Sequence, residues 1–201
     1  MMQRFGVVAL VALLLSGCSL SGADDAGTPG SSGQSTTAQR LEQQMPADTQ
    51  LITQKLTYML NSSDKIYVLN MGDFTTQGAE YQNSGRYLQL QLATSLEQHG
   101  STVVRQQGYF DPQLLTQEAQ YNNCNLVMTA RIERLVDNPM YAKEVSILIN
   151  TYSANNGELL NSVLLNARAE SLQTLFALQG STVQQLINLY INALYQKVGR
   201  V

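Results

Sequence analysis

Tryptophan is absent from this chain of 201 residues, histidine occurs once, cysteine twice and proline four times, and only 13% of the side chains are charged. Each shortage removes a class of protein. Two cysteines and one histidine cannot supply the N and S ligands of a structural zinc site, nor the paired cysteines of a disulfide scaffold. With 12 basic and 15 acidic side chains the net charge is −3 and the pI about 5.1. No Lys/Arg cluster marks a phosphate-binding stripe, so nucleic acid is not an expected partner. The Gly-x-Ser-x-Gly, His-Glu-x-x-His, P-loop and Gly-x-Gly-x-x-Gly patterns are missing too, and no catalytic residue, metal or cofactor is expected. What is plentiful is Gln, Asn, Ser and Thr beside a 44% hydrophobic content, over a length that suits one domain with appendages.

The N-terminus is the most informative stretch. A single cation, Arg4, precedes an apolar run over residues 7–15 that falls short of the roughly 20 residues a spanning helix needs. Residues 1–17 therefore read as a signal peptide. The run ends in Leu15-Ser16-Gly17-Cys18, which resembles the lipobox of bacterial lipoproteins. That resemblance implies cleavage before Cys18, a thioether-linked diacylglycerol and an N-acyl chain on it. Single-chain anchoring is marginal, so several chains on one residue make attachment effectively permanent. Ser19 stands where the resemblance would put an Asp for retention at the inner membrane, which implies the outer membrane with the domain facing the periplasm. With Cys18 consumed by lipid, Cys124 has no intramolecular partner. It reads as a small buried thiol at the start of a strand, or as a group able to cross-link copies if exposed; a nucleophile would need a base close by.

Residues 18–40 form the lipidated end and a Ser/Gly/Thr-rich tether of roughly 25 Å r.m.s. span, which contains Asp24 and Asp25. Residues 41–201 form one domain. A first helix is expected over residues 48–61, with Asp48 or Thr49 as cap and Leu51, Ile52, Leu56, Met59 and Leu60 on one side. A short apolar run over 65–71 reads as a central strand, and 72–84 as a polar loop. Ser84 is placed to cap a helix over 85–99 whose Leu88, Leu92 and Leu96 form a stripe and which closes on Gly100. A strand over 101–105 follows, then a helix from Asp111-Pro112 to Tyr121.

From Asn125 the hydrophobic period changes to two, predicting a strand and then a hairpin of 145–153 with 159–169 across Ala154-Asn155-Asn156-Gly157-Glu158. The last element, Val183 to Val198, places Leu186, Ile187, Tyr190, Ile191 and Leu194 on one face, and predicts a long amphipathic helix docked on the sheet. The order αβαβαβββα defines an α/β (α+β) domain with a mixed sheet of about five strands flanked by helices.

The run Lys65-Ile66-Tyr67-Val68-Leu69-Asn70-Met71-Gly72-Asp73-Phe74, the loop, Ser84-Gly85-Arg86 with its leucines, His99-Gly100 and Val103-Val104 are similar to FlgO-type outer-membrane lipoproteins. More distantly they resemble the α/β domain of the curli-secretion lipoprotein CsgG and the N-terminal domain of TolB. The resemblance spans about residues 51–169. It implies a non-enzymatic accessory or interaction module of a cell-envelope assembly, with the flagellum and motility as the nearest assembly and a protein partner or a self-oligomer as the contact. The alternative is a periplasmic ligand-binding or regulatory lipoprotein acting on peptidoglycan synthesis or on polysaccharide or curli export. Two long membrane hairpins of CsgG are missing, so no pore is implied.

Asp73 follows the end of the expected central strand, where α/β sheets place ligand sites. It either caps or turns the loop, or lines a crevice with Thr75, Thr76, Ser84 and Arg86. His99, at a helix C-terminus, reads as structural. Glu133, Arg134 and Asp137 suggest local ion pairing.

Overall fold

The computed structural model describes residues 49–76, 79–106, 115–137, 142–176 and 180–195. The signal peptide, Cys18, the tether, Asp111, Pro112 and Val198 lie outside the described residues. The described residues belong to one compact unit. Its elements run β1 (Thr49–Leu56), β2 (Lys65–Asn70), β3 (Phe74–Thr76), β4 (Ala79–Tyr81), α1 (Ser84–Gln98), β5 (Thr102–Arg105), α2 (Leu115–Tyr121), β6 (Leu126–Val136), β7 (Lys143–Ser153), β8 (Leu159–Ala169), α3 (Leu172–Phe176) and α4 (Thr182–Tyr195).

Among the described residues six strands form one mixed sheet in the order β1-β8-β7-β6-β2-β5, and β3 pairs with β4 in a second, two-stranded one. The topology has two halves. β2 is parallel to both β5 and β6, as strands joined through helices must be, while β6, β7, β8 and β1 are antiparallel in series. The hairpin β7–β8 closes as its turn chemistry predicts, with Gly157 at φ +71° and the amide of Glu158 donating to Asn156 Oδ1 at 3.1 Å.

Alternation along β2 and β6 sorts the core. Ile66, Val68, Met128 and Ala130 face the main core, which is built with Leu88, Leu92 and Leu96 of α1 and Leu186, Ile187 and Ile191 of α4. Tyr67, Leu69 and Val127 face the other way, onto Ala119 of α2, Cys124 and Ala154. The two long amphipathic helices dock as expected because neither has another surface on which to hide its stripe. Gln89, buried on α1, donates from Nε2 to the carbonyls of Val68 at 2.9 Å and Gln106 at 3.0 Å. These bonds tie the helix to the strand it covers.

The first element is a correction. The expected helix over 48–61 is strand β1, paired antiparallel with β8, with Leu51 opposite Leu165 and Thr53 opposite Val163. The apolar residues fit a helical stripe by spacing, yet Ile52 and Met59 are exposed while Leu51 and Leu60 are buried. Two influences favour the strand. β-Branched Thr49, Ile52 and Thr53 suit a pleated surface, and without β1 the ladder of β8 would be open. Beyond β1, the fully buried Asn161 side chain accepts from the amides of Thr57 and Tyr58, each at 2.9 Å, and donates to the carbonyl of Tyr58 at 2.8 Å. It takes the place of a ladder for a chain that has left the sheet.

Three smaller differences follow. The loop over 72–84 contains the β3–β4 hairpin, and a short helix the sequence did not predict, α3, precedes the last one. The main sheet has six strands rather than about five. Ion pairs form as Arg131 with Glu133 and Lys143 with Asp137, each at 2.6 Å, so Glu133 and Asp137 find cations other than Arg134.

Candidate functional site

The end of β2 and the start of α1 meet in a network of local bonds. Asn70 Oδ1 accepts from the amide of Gly72 at 3.1 Å, and Gly72 turns the chain at φ +80°. The Asp73 carboxylate accepts from the amide of Asn83 through Oδ2 at 2.7 Å and from that of Gly85 through Oδ1 at 2.9 Å. Ser84 does not cap the helix. Asn83 holds the N-cap position in a left-handed conformation with no side-chain cap bond, and Ser84 Oγ instead accepts from the amide of Phe74 at 2.9 Å. The helix start is thus capped from a distance by Asp73, where a negative charge also meets the positive end of the helix dipole.

The expected crevice is divided. Asp73, Thr75 and Ser84 line a small cleft of about 190 Å³ together with Arg131. Arg86 points elsewhere, and the side chain of Thr76 lies outside the described residues. Both oxygens of Asp73 are already bonded to backbone amides. The capping reading of Asp73 accounts for its geometry.

Arg86 lines a separate groove of about 820 Å³, bounded by Tyr81, Tyr87, Leu90, Leu135 and Phe176. Tyr87 meets Phe176 edge to face at 5.8 Å and 82°, and bonds Ser181 Oγ through its hydroxyl at 2.7 Å. Burial raises the Tyr87 phenol, so it stays neutral at physiological pH. Sequence reading missed this groove because α3, which supplies its far wall, has only five residues and no periodic signal of its own.

A third concavity lies on the sheet. α2 covers the second face where β2 meets the start of β6; across β1, β8 and β7 that face is a trough of about 790 Å³. Gln50, Gln54, Ser146, Leu148, Leu164 and Asn166 line it, with Glu133, Glu144, Arg134 and Arg168 among its charged groups. Opposite-sign neighbours pair within the face, as Arg168 does with Glu144 at 3.0 Å.

The remaining expectations resolve as structure. Cys124 is buried at 4% exposure, so cross-linking of copies through it does not apply to the folded domain. Burial pushes its thiol pKa up, with the Lys65 charge pulling the other way. His99 stacks on Tyr195 at 4.5 Å and bonds Asn192 Oδ1 at 2.5 Å, joining the end of α1 to α4. Asp64, which the sequence reading passed over, is buried and accepts from the Tyr58 hydroxyl at 2.9 Å, Asn125 Nδ2 at 2.8 Å and the amide of Asn61 at 2.9 Å. Among the described residues no group of three or more His, Cys, Asp or Glu side chains is placed to hold a metal, and no helix is long and apolar enough to cross a membrane.

No family model matches the chain, and no curated protein matches it. Solved structures do. The PelC dodecamer from Paraburkholderia phytofirmans is 15% identical over 74% of this chain and 99% of its own, with a TM-score of 0.57. A point variant of the same dodecamer is 15% identical over 70% and 96%, with a TM-score of 0.54. Lipoprotein GNA1162 from Neisseria meningitidis is 16% identical over 64% and 96%, at a TM-score of 0.42. At these identities the PelC likeness establishes the fold: a mixed α+β domain of the PelC type.

Proposed function

We propose that this chain is a lipid-anchored protein of the bacterial envelope, whose domain acts without chemistry of its own as an interaction module and associates with further copies of itself. The observation that carries this reading is the trough on the face of β1, β8, β7 and β6. An amide- and hydroxyl-rich sheet face with both signs of charge at its margin can hydrogen-bond a partner without desolvating many unpaired ions. The PelC fold supports self-association, because that protein was solved as a dodecamer. The lipobox at Cys18 supports the anchor, and Ser19 an outer-membrane destination with the domain in the periplasm. FlgO-type membership and a flagellar role are the narrower form of the proposal and rest on the sequence resemblance.

The test is made in cells. Palmitate labelling of the wild type but not of Cys18→Ser, with the protein in the outer-membrane fraction, is expected. A photo-cross-linker at Leu148 should capture a second copy or an envelope protein, and Leu164→Arg, opposite it on the same face, should remove the product. A soluble, unlabelled protein that yields no cross-link from Leu148 would reject the proposal. Motility and flagellar number in a deletion strain decide the flagellar form. A second reading, a ligand-binding or regulatory lipoprotein, is favoured by the groove beside Arg86.

A further inference from the structure

The groove between α1, α3 and the end of β6 has the size and lining of a small-molecule site. Its volume of about 820 Å³ falls within the roughly 300–1,000 Å³ of typical ligand pockets, which are mostly apolar with few polar groups. A macromolecular interface commonly needs about 800 Å² from each partner, more than this confined groove offers. Its walls are fixed before any ligand arrives: the Tyr87 ring is held by Phe176 on one side and by Ser181 through its hydroxyl. Leu90, at 39% exposure, leaves an apolar surface facing the groove that nothing in the described structure covers.

Charge narrows the occupant. Among the described residues Arg86 is the one charged side chain lining the groove; it is exposed, and none of the ion pairs found there includes it. Asp73, a near neighbour in the fold, lines the other cleft and is bonded to two amides. On α1, Arg86 and Leu90 stand four residues apart and so share one face of the helix, placing the guanidinium in line with the apolar floor. A guanidinium fork matches a phosphate or carboxylate bidentately.

We infer that this groove binds a free single-chain amphiphile, its anionic head on Arg86 and its alkyl tail along Leu90, Leu135 and Phe176. The anchor expected on Cys18 carries no anionic head, so Arg86 has nothing to gain from it. The inference gives the ligand-binding reading a chemical class, and is independent of docking on the open sheet face.

Calorimetric titration of the Ser31–Val201 unit, which contains the whole described core, with dodecyl phosphate below its micellar concentration tests it. Saturable one-to-one binding is expected. Arg86→Gln should weaken it at least tenfold with the thermal transition unchanged, since the side chain is exposed. Decyl phosphate should bind roughly tenfold more weakly than dodecyl phosphate, from two fewer buried methylenes. Uncharged dodecyl maltoside should bind weakly and be indifferent to Arg86→Gln. Absence of saturable binding, or a dissociation constant that Arg86→Gln leaves unchanged, would overturn the inference. Neither result touches the Leu148 cross-link, so the two proposals fail separately.

Discussion

Gly85 packs its Cα against the backbone of Gly72: a Cβ built there would overlap the Gly72 carbonyl oxygen and stand 2.6 Å from Asn70 Oδ1. The close approach brings the first turn of α1 onto the end of β2, within reach of the Asp73 carboxylate. Only glycine permits it. Gly85→Ala must push backbone from backbone, and a loss of about 2–3 kcal/mol is expected in urea denaturation. An unchanged midpoint would mean that this approach is looser than described.

Asp73 should prove to be a stability residue. Asp73→Ala removes the acceptor for the amides of Asn83 and Gly85 and should cost about 1–2 kcal/mol, with Asp73→Asn retaining part of the cap. Circular-dichroism melts of both variants decide it. A thermal transition that does not move in the alanine variant would return Asp73 to the list of binding residues.

Alkaline pH should destabilise the domain through its tyrosines. Burial, with the hydrogen bond and charge of Asp64, pushes Tyr58 up to about 12, and burial with Glu118 raises Tyr67 as well. The folded protein keeps these protons above pH 10, where the unfolded chain releases them. The stability they contribute is therefore complete below pH 10 and is lost as pH rises through about 12. Denaturation midpoints at pH 9 and 11.5 should fall in that order, and Tyr58→Phe should flatten the decline. A midpoint flat across this range would contradict the assignment.

Cys124 should be silent toward thiol reagents until the domain opens. Its side chain is 4% exposed and its thiol pKa is raised by burial. Ellman's reagent should react slowly with the folded Ser31–Val201 unit and completely in denaturant. Fast stoichiometric labelling without denaturant would show that α2 lifts from Tyr67 and Val127.

The α1 and α4 stripes, the central strand over 65–70 and the β7–β8 hairpin were legible because each carries a period or a turn that local chemistry alone dictates. The stretch from 49 to 61 was not. Its Leu51, Ile52, Leu56 and Leu60 satisfy a helical spacing, and what decides between helix and strand is the bare edge of β8, more than a hundred residues away, together with Asn161 reaching back to Thr57 and Tyr58.

The candidate site divides along the same line. Asp73 was found because a polar residue after a central strand is visible in the sequence, but its partners were not, and they make it a cap. Arg86 was selected as a neighbour of Asp73, yet it faces the groove whose far wall is α3.

By itself the sequence determined the class of fold and the docked amphipathic helices, and set the expectations of no nucleic-acid partner and of an anchor at Cys18, since charge balance, periodicity and a short motif are properties of the chain read in order. Tertiary structure alone decided that β1 is a strand, that Cys124 is sealed, that Asp73 closes on Gly85 and that Arg86 lies exposed beside an apolar groove. Each of those depends on which distant groups compete for the same hydrogen bond, the same edge or the same volume, and that competition exists only once the chain has folded.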